Sequence, residues 1–409
     1  MEGQRDPGRE KEEQMTQKTD SAFYQDHIRG CLVGLAAGDA LGYPFDGMDK
    51  EEFAYCYGEK GIRGYSLNRS IGKAQISSNT QMALFTANGI LFGYTRGGLK
   101  GIGGPLSAYV EWAYYDWYRT QTETMEEVNR RERFDSKGHY SVSWLLDVPE
   151  LYSRRNPGET NLRVLSHRTG SIEEPVSSST GCGALARVAP VALCTRYSGE
   201  DLDHEGAEVA ALTHGHYLGY MPAAVLTHIL SLSLAEGKKL ALKGIILKSI
   251  DTLDSGKYGQ ELRSVLNYAA ALSENGDSDA DNIPRLGRGR SAKSALAIAV
   301  YCALRHPDDF SGGIIAAVSN SLCRSSVGAA AGAILGARLG YKKIDQKWIK
   351  DLELLDVILE LSDDLCTNCT EPFDYIYNFL KGDFYDRAWG MKYYGGHRPL
   401  NKAAEKKSS

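Results

Sequence analysis

A chain of 409 residues is long enough for two or three domains, and its 42% hydrophobic content is enough for a sizeable core. The formal net charge of -5 excludes a general affinity for nucleic acid. No apolar run reaches the roughly 18 residues typical of a membrane span, and the N-terminus lacks a signal peptide's hydrophobic region. We therefore expect a cytoplasmic protein without membrane segments, whose oligomeric state the sequence leaves open.

The chain begins with a polar segment and then becomes helical. Residues 1–21 are almost entirely polar, so we predict a disordered N-terminal tail there. Helical periodicity begins near residue 23 and ends near residue 41, where Gly42 and Pro44 break it. We place the folded domain at residues 22–395 and a polar C-terminal tail at residues 396–409.

Two stretches, IRGCLVGLAAGDALG and VGAAAGAILGARLG, carry glycine at every fourth position. Glycine costs a helix interior roughly 1 kcal/mol relative to alanine, so four on one ridge need a packing reason. We predict that the two ridges face each other as partners in a tight helix pair. The glycines are Gly30, Gly34, Gly38 and Gly42 in the first ridge and Gly328, Gly332, Gly336 and Gly340 in the second.

Helical patterns recur along most of the remaining chain. They predict helices over residues 80–94, 105–119, 220–236, 239–250, 292–304, 308–319, 348–361 and 372–380. Residues 51–72 are rich in glycine and tyrosine, and we predict a long loop that folds back over the functional site. The sequence shows no strand alternation and no repeat of fixed period, so an all-α protein is favoured.

Three loops carry residues suited to ligand binding. The loop SNSLCRSS delivers polar groups to a helix N-terminus, where unpaired N–H groups and the helix dipole favour anionic ligands, although the loop could serve as a cap alone. In SSSTGCGALAR, two glycines around a cysteine let backbone amides approach a diphosphate or ribose, unless they only make a turn. In THGH, two histidines spaced by two do not share a helix face, so a ligand hydrogen bond fits His214 better than a metal does.

Eight cysteines are scattered through the chain, several of them inside apolar helical patterns. This distribution predicts free buried thiols and not a disulfide framework. Cys366 and Cys369 form a C-x-x-C, which suggests a redox or zinc pair as the alternative. No second pair with zinc-site spacing accompanies them, so free thiols are favoured.

Six segments in a fixed order carry a resemblance to a known family. They are GDALGYPFDG, ISSNTQMALFTANGILFG, SSSTGCGALARVAP, ALTHGH, SALAIAVYCALRHPDDF and VGAAAGAILGARLG. Together they resemble the ADP-ribosylglycohydrolase family, all-helical hydrolases that cut the bond between ADP-ribose and a protein side chain with two magnesium ions. The resemblance covers roughly residues 24–380. It implies a single large helical domain and an ADP-ribose-like ligand or ADP-ribosylated macromolecule as partner.

The same segments depart from the family where its metals bind. The family has a hydroxyl residue and two aspartates where this chain has Ser77, Ser78 and Asn79, followed by Thr80. Its later Asp-x-Asp and hydroxyl positions hold the residues Cys323, Arg324, Ser325 and Ser326 here. Magnesium is usually anchored by carboxylates, so we predict no bound metal and no cofactor.

The resemblance places further residues in the cleft. By this comparison the ligand-binding residues are Ser77, Ser78, Asn79, Thr80, Gly181, Cys182, Gly183, His214, Cys323, Arg324, Ser325 and Ser326. The family's glutamate beside the scissile bond is replaced by Asp46, which we favour over Asp39 and His214 as an acid or base. We predict that Arg324 replaces the metals as a fixed cation; the alternative is that it points to solvent.

Three functional hypotheses follow from the resemblance. The first, which we favour, is a catalytically degenerate member that binds ADP-ribose or a related nucleotide-ribose. The second is a magnesium-independent glycoside hydrolase that releases ADP-ribose. The third is a structural or interaction protein that keeps only the fold.

Overall fold

The structure is a computed structural model that describes residues 7–58, 61–101, 103–130, 141–194, 199–237, 239–370 and 384–394. Within these ranges it contains no strand, and its only β pairings are isolated bridges such as the one between Gly181 and Ser291. One continuous hydrophobic core extends from α1 to the last described helix. The prediction of a single all-α domain is therefore confirmed.

Eighteen α-helices are present in the described residues. The first nine are α1 (Pro7–Gly42), α2 (Lys50–Tyr57), α3 (Ser78–Lys100), α4 (Leu106–Thr122), α5 (Met125–Asn129), α6 (Glu159–Leu165), α7 (Ala189–Ala192), α8 (Gly199–Ala211) and α9 (Tyr217–Glu236). The other nine are α10 (Leu242–Asp251), α11 (Lys257–Leu272), α12 (Asp279–Asn282), α13 (Ala292–Arg305), α14 (Phe310–Ser319), α15 (Arg324–Leu339), α16 (Gln346–Ile349), α17 (Leu355–Thr370) and α18 (Phe384–Tyr393).

Helices α1 and α15 form the centre of the domain and run antiparallel along their glycine ridges. A Cβ built on Gly34 would lie 2.3 Å from the carbonyl oxygen of Gly332, and one built on Gly332 would lie 2.0 Å from that of Gly34. The pairs Gly38 with Gly328 and Gly30 with Gly336 are equally close. Real side chains do not fit such distances, so the predicted pairing of the two ridges is confirmed.

Helix α1 begins at Pro7, well before residue 23. Residues 7–21, which we predicted to be part of a disordered tail, are helical. Proline is tolerated in the first turn of a helix, and the Glu, Lys, Gln and Met residues that follow are good helix formers, so polarity alone was misleading. Residues 1–6 and the predicted tail at 396–409 lie outside the described residues, as does the predicted helix at 372–380, and the domain boundaries remain a prediction.

The remaining helices enclose this pair. Helix α17 packs against α1, α13 and α14 pack against α15, and α3 packs against α4. Helices α8 and α11 were not among the predicted elements, although α11 carries buried Leu262, Leu266 and Ala269 at helical spacing. Residues 51–57 belong to α2, so of the predicted loop at 51–72 only the described residues 58 and 61–72 lie outside a helix.

Helix α9 has the length and hydropathy of a membrane span, which the sequence analysis had not expected. Two thirds of that apolar window, 67%, is buried inside the domain. It packs against α8, α13 and α15. Burial in the protein core therefore accounts for its apolar composition.

Candidate functional site

Asp39 lies in the last turns of α1 and joins that helix to the start of α3. Its carboxylate accepts hydrogen bonds from Ser77 N at 2.8 Å and Ser77 Oγ at 2.5 Å. It also accepts from Thr80 N at 3.2 Å, Thr80 Oγ1 at 2.6 Å and Asn79 Nδ2 at 3.2 Å. Burial raises the pKa of Asp39, while these donors act in the opposite direction. All of its lone pairs are engaged in fixing the N-terminus of α3.

Asp46 follows the short 3-10 helix Tyr43–Phe45 and faces the N-terminus of α15. Its carboxylate accepts hydrogen bonds from Ser325 N at 3.0 Å, from Ser325 Oγ, and from Asn156 Nδ2 at 3.2 Å. Burial raises the pKa of Asp46 to about 6, and the hydrogen bonds from Ser325 partly offset that rise. Asp46 is thus a carboxylate that can hold a proton near neutral pH.

Asn79 connects the two helix N-termini. Its amide nitrogen donates to Ser77 Oγ at 3.0 Å and to Ser325 Oγ at 3.2 Å, besides Asp39. Its amide oxygen accepts from Ser326 Oγ at 3.2 Å. One neutral side chain therefore links the N-termini of α3 and α15.

Ser78 lies beside this network but points elsewhere. Its hydroxyl donates to the carbonyl oxygen of Asn156 at 2.5 Å, and its backbone N–H donates to Arg155 O at 3.0 Å. Asn156 has a positive φ of 48° and also reaches Asp46. The sequence analysis did not identify Asn156. Its position in the dipeptide Asn156-Pro157, typical of a turn, was the available signal.

The glycine loop, residues 177–183, lies against α13 and the start of α15. Gly181 and Gly183 flank Cys182, which opens the 3-10 helix Cys182–Ala184. The neighbouring Cys323 thiol, and to a smaller extent the Ser326 hydroxyl, lower the pKa of the Cys182 thiol, whereas burial acts in the opposite direction.

His214 lies behind the glycine loop and is buried. Its Nδ1 is 2.8 Å from Thr213 Oγ1, which also accepts from Arg187 Nη2 at 2.8 Å. A Cβ on Gly181 or Gly183 would be 3.5 Å from His214 Nε2, so this nitrogen faces the loop. Burial, with a smaller contribution from Arg187, lowers the pKa of His214 to about 3. His214 is therefore a neutral ring at physiological pH.

The contacts of Arg324 fit neither of the two roles considered from the sequence, a fixed cation in place of the metals or a side chain that points to solvent. It is 1% exposed, so it does not point to solvent. Its Nη1 donates to Phe45 O at 3.2 Å and to Met48 O at 2.8 Å, and its guanidinium lies 4.3 Å from the centre of the Phe53 ring. Its Nε has no hydrogen-bond partner within the described part of the chain. Arg324 thus fixes the turn between Asp46 and α2.

Arg324 is one of the residues that line a cavity of about 350 Å³. Its wall also contains Asp49, just before α2, Glu51 in the first turn of α2, exposed Arg288 and the loop that precedes α15. Charges of both signs line it. The described side chains include no group of three or more His, Cys, Asp or Glu residues arranged to hold a metal ion.

Comparisons with known proteins agree with this architecture. Residues 20–374 match the family model described as ADP-ribosylglycohydrolase. The chain belongs to the ADP-ribosylglycohydrolase family. An uncharacterized protein of Archaeoglobus fulgidus is 24% identical over 345 residues, which span 83% of this chain and 95% of that relative.

A solved structure described as an ADP-ribosylglycohydrolase-related protein complex is similar with a TM-score of 0.53 and 22% identity, over 85% of this chain and 99% of that one. At that identity the similarity establishes the fold alone. The residues predicted for the site of this ADP-ribosylglycohydrolase family member do come together, with the guanidinium of Arg324 and the hydroxyl of Ser78 as the exceptions. The sequence analysis missed Asn156 and the buried Arg187, whose contacts arise only from tertiary packing.

Proposed function

We propose that this family member binds ADP-ribose or a related nucleotide-ribose where α3, α15 and the glycine loop meet, and that it lacks the family's two-magnesium chemistry. The observation that carries this proposal is the network of Asp39, Asn79, Ser325 and Asp46. These four side chains satisfy one another by direct hydrogen bonds.

The side chains of this network do not fit a pair of magnesium ions. Magnesium requires hard oxygen ligands in near-octahedral geometry. Asn79 presents N–H donors to Asp39 and Ser325, where a cation would need acceptors. The carboxylate of Asp39 already receives hydrogen bonds from three residues, and that of Asp46 from two. We therefore assign no step of the function to a metal.

Neutral groups and backbone amides are the binding elements that remain. In the glycine loop Gly181 N already donates to Ser179 Oγ at 3.3 Å, but the absence of side chains at Gly181 and Gly183 lets a diphosphate or ribose approach the backbone closely. His214 Nε2, held by the contact of Nδ1 with Thr213, faces the same place. These features favour an anionic, hydroxyl-rich ligand such as ADP-ribose.

Asp46 is the candidate that we favour for residual chemistry. Its pKa of about 6 leaves part of the population protonated near neutral pH, as a general acid requires. Both carboxylate oxygens are nevertheless engaged by Ser325, which restrains the side chain away from a ligand. We therefore favour a degenerate site over the alternative of a magnesium-independent hydrolase.

Titration calorimetry with ADP-ribose tests this proposal. One buffer contains about 5 mM magnesium chloride, and the other contains EDTA. We expect binding of similar affinity in both buffers. Gly183→Leu should weaken binding by about tenfold or more, because the new side chain would occupy the space between the loop and His214. Gly276→Leu is the matched control, because nothing lies within 4 Å of a Cβ at Gly276.

The possible results of these measurements distinguish the three functional hypotheses. Binding that requires magnesium would overturn the proposal that the metal chemistry is lost. Absence of binding in both buffers would leave only a structural or interaction role. Release of ADP-ribose from a modified protein in EDTA, abolished by Asp46→Asn, would favour the magnesium-independent hydrolase.

A further inference from the structure

Three buried side chains behind the glycine loop determine which nitrogen of His214 carries a proton. They are Asn161 in α6, Arg187 in the 3-10 helix Ala186–Val188, and Thr213, which follows α8. We propose that His214 holds its proton on Nδ1 and that its unprotonated Nε2 accepts a hydrogen bond from the ligand. The group that fits there is a donor, a ribose hydroxyl or the adenine amino group, and not a phosphate oxygen. The ligand contact rests on the proposed function, whereas the position of the proton does not.

The orientation of the Asn161 amide is fixed by its neighbours. Its Oδ1 receives a hydrogen bond from Arg187 Nη1 at 3.1 Å, and an arginine can only donate. Its Nδ2 donates to the carbonyl oxygen of Pro157 at 3.0 Å, which can only accept. If the amide were turned over, two donors would face each other at one end and two acceptors at the other. The oxygen of Asn161 therefore faces Arg187 and Thr213.

The hydroxyl of Thr213 has a single proton to share among its hydrogen-bonding neighbours. Arg187 Nη2 donates to Thr213 Oγ1 at 2.8 Å, so this contact does not use that proton. The contact of Oγ1 with Asn161 Oδ1 at 3.1 Å is a hydrogen bond only if Thr213 donates. His214 Nδ1, 2.8 Å from the same Oγ1, must then be the donor. With the proton on the other ring nitrogen, the oxygens of Thr213 and Asn161 would face each other without a proton between them.

Burial and charge keep a second proton away from the His214 ring. His214 is 3% exposed and Arg187 is 1% exposed. All hydrogen bonds that Arg187 donates within the described structure go to neutral acceptors. Burial, and to a smaller extent the charge of Arg187, lower the pKa of His214 to about 3. With Nδ1 protonated, Nε2 therefore keeps its lone pair at neutral pH.

This lone pair faces the place where the ligand is proposed to bind. A Cβ built on Gly181 or Gly183 would lie 3.5 Å from Nε2, so the glycines leave that side of the ring accessible. In the described part of the chain His214 has a side-chain hydrogen bond at Nδ1 and none at Nε2. A buried acceptor without a donor is unfavourable, so a ligand that supplies a donor is preferred. The diphosphate of ADP-ribose presents only acceptors, whereas its hydroxyls and its amino group can donate.

The primary test locates the proton by NMR in the full-length protein without ligand. Histidine labelled with ¹⁵N is incorporated, and long-range ¹H–¹⁵N correlation spectra distinguish a protonated ring nitrogen from one with a lone pair. His214→Gln identifies the signals of His214 among those of the nine histidines. We expect a protonated Nδ1 and an unprotonated Nε2 between about pH 5 and about pH 8.

Variants of Thr213 test the origin of this arrangement. Thr213→Val keeps the shape of the side chain but removes the acceptor for Nδ1–H, so the proton should move at least partly to Nε2. Thr213→Ser keeps the hydroxyl and should retain the proton on Nδ1. Thr227→Val is the matched control, because Thr227 is also buried and its hydroxyl donates to Ala223 O at 3.0 Å instead. It should leave the His214 signals unchanged.

Calorimetry then identifies the ligand group that donates to Nε2. Inosine diphosphate ribose carries an oxygen in place of the adenine amino group, and further analogues each lack one ribose hydroxyl. One of these ligands should bind about tenfold more weakly than ADP-ribose, because Nε2 would lose its donor. In His214→Phe, which has a ring but no acceptor, the same ligand and ADP-ribose should bind equally well.

Wild-type protein alone decides the position of the proton, so a poorly folded variant does not obscure it. A proton on Nε2 would overturn the proposal even if ADP-ribose binds, and the proposed function would stand. Equal affinity of the wild type for ADP-ribose and every analogue would overturn the ligand contact. A proton on Nδ1 without any binding of ADP-ribose would support the tautomer and contradict the proposed function.

Discussion

Ser325 donates both its backbone N–H and its hydroxyl to the carboxylate of Asp46. Ser325 is the second residue of α15, and the N-cap residue Cys323 makes no side-chain capping bond. Asp46 therefore caps α15 from a distant part of the chain, and its negative charge lies at the positive end of the helix dipole. The residue proposed as a candidate acid is at the same time a structural element of the helix beside it.

The first prediction concerns pH and Asp46. Because burial raises its pKa from 3.8 in the unfolded chain to about 6, its contribution to stability is lost as pH rises from about 4 to 6. Asp46→Asn lacks this titration. The difference in unfolding free energy between wild type and Asp46→Asn should therefore decrease across that range, as measured by urea denaturation.

Ser325→Ala provides the matched comparison for that experiment. Removing the hydroxyl removes a donor that lowers the pKa of Asp46. The pH range over which the contribution of Asp46 to stability is lost should therefore move to higher pH. A difference between wild type and Asp46→Asn that stays constant from pH 4 to 7 would contradict the raised pKa.

The second prediction concerns the contact of the two glycine ridges. In Gly332→Leu the Cβ would lie 2.0 Å from Gly34 O, and the two backbones would have to separate. We expect a loss of roughly 1–3 kcal/mol or more of unfolding free energy and a sharp fall in melting temperature. Gly276→Leu, at an open position, is the control. An unchanged melting temperature for Gly332→Leu would contradict the close packing of α1 and α15.

The third prediction concerns Arg324. From the sequence alone, its replacement by alanine should weaken ligand binding and leave stability unchanged. Its bonds to Phe45 O and Met48 O instead predict a loss of stability, since hydrogen bonds from a charged group contribute about 1.5–3 kcal/mol each. The measurement is the melting temperature of Arg324→Ala without ligand, with the exposed Arg290→Ala as control. Equal melting temperatures for the two variants would favour the role inferred from the sequence.

The fourth prediction concerns magnesium and Asn79. Magnesium should not raise the melting temperature of the wild type, because the amide of Asn79 donates to Asp39 and Ser325. In Asn79→Asp two carboxylates would face each other, so stability should fall and magnesium should partly restore it. Asn79→Ser, which adds no charge, should not respond to the ion. Stabilisation of the wild type by magnesium would count against the degenerate site.

The sequence predicted regularly spaced patterns well and contacts between distant residues poorly. The glycine ridges were predicted because a spacing of four residues is visible in the chain and has one physical cause. The groups around Asn79 were predicted because the resemblance aligned them. The partners of Arg324 were not, because the carbonyl oxygens of Phe45 and Met48 lie more than 270 positions earlier, at separations of 279 and 276 residues. Such contacts exist only once α1 and α15 have paired.

The repeated spacing of the two glycine ridges does not by itself determine the register of α15 against α1. Since the same residue recurs every four positions on both helices, a displacement of α15 along α1 by one turn would again bring glycine opposite glycine. The ends of the pair differ, however. At one end Gly42 meets the backbone of Arg324, and at the other Gly340, with a φ of +84°, meets the carboxylate of Asp26. The contacts at these two ends select one register. The candidate site beside Gly42 therefore also helps to determine how α1 and α15 align in the core.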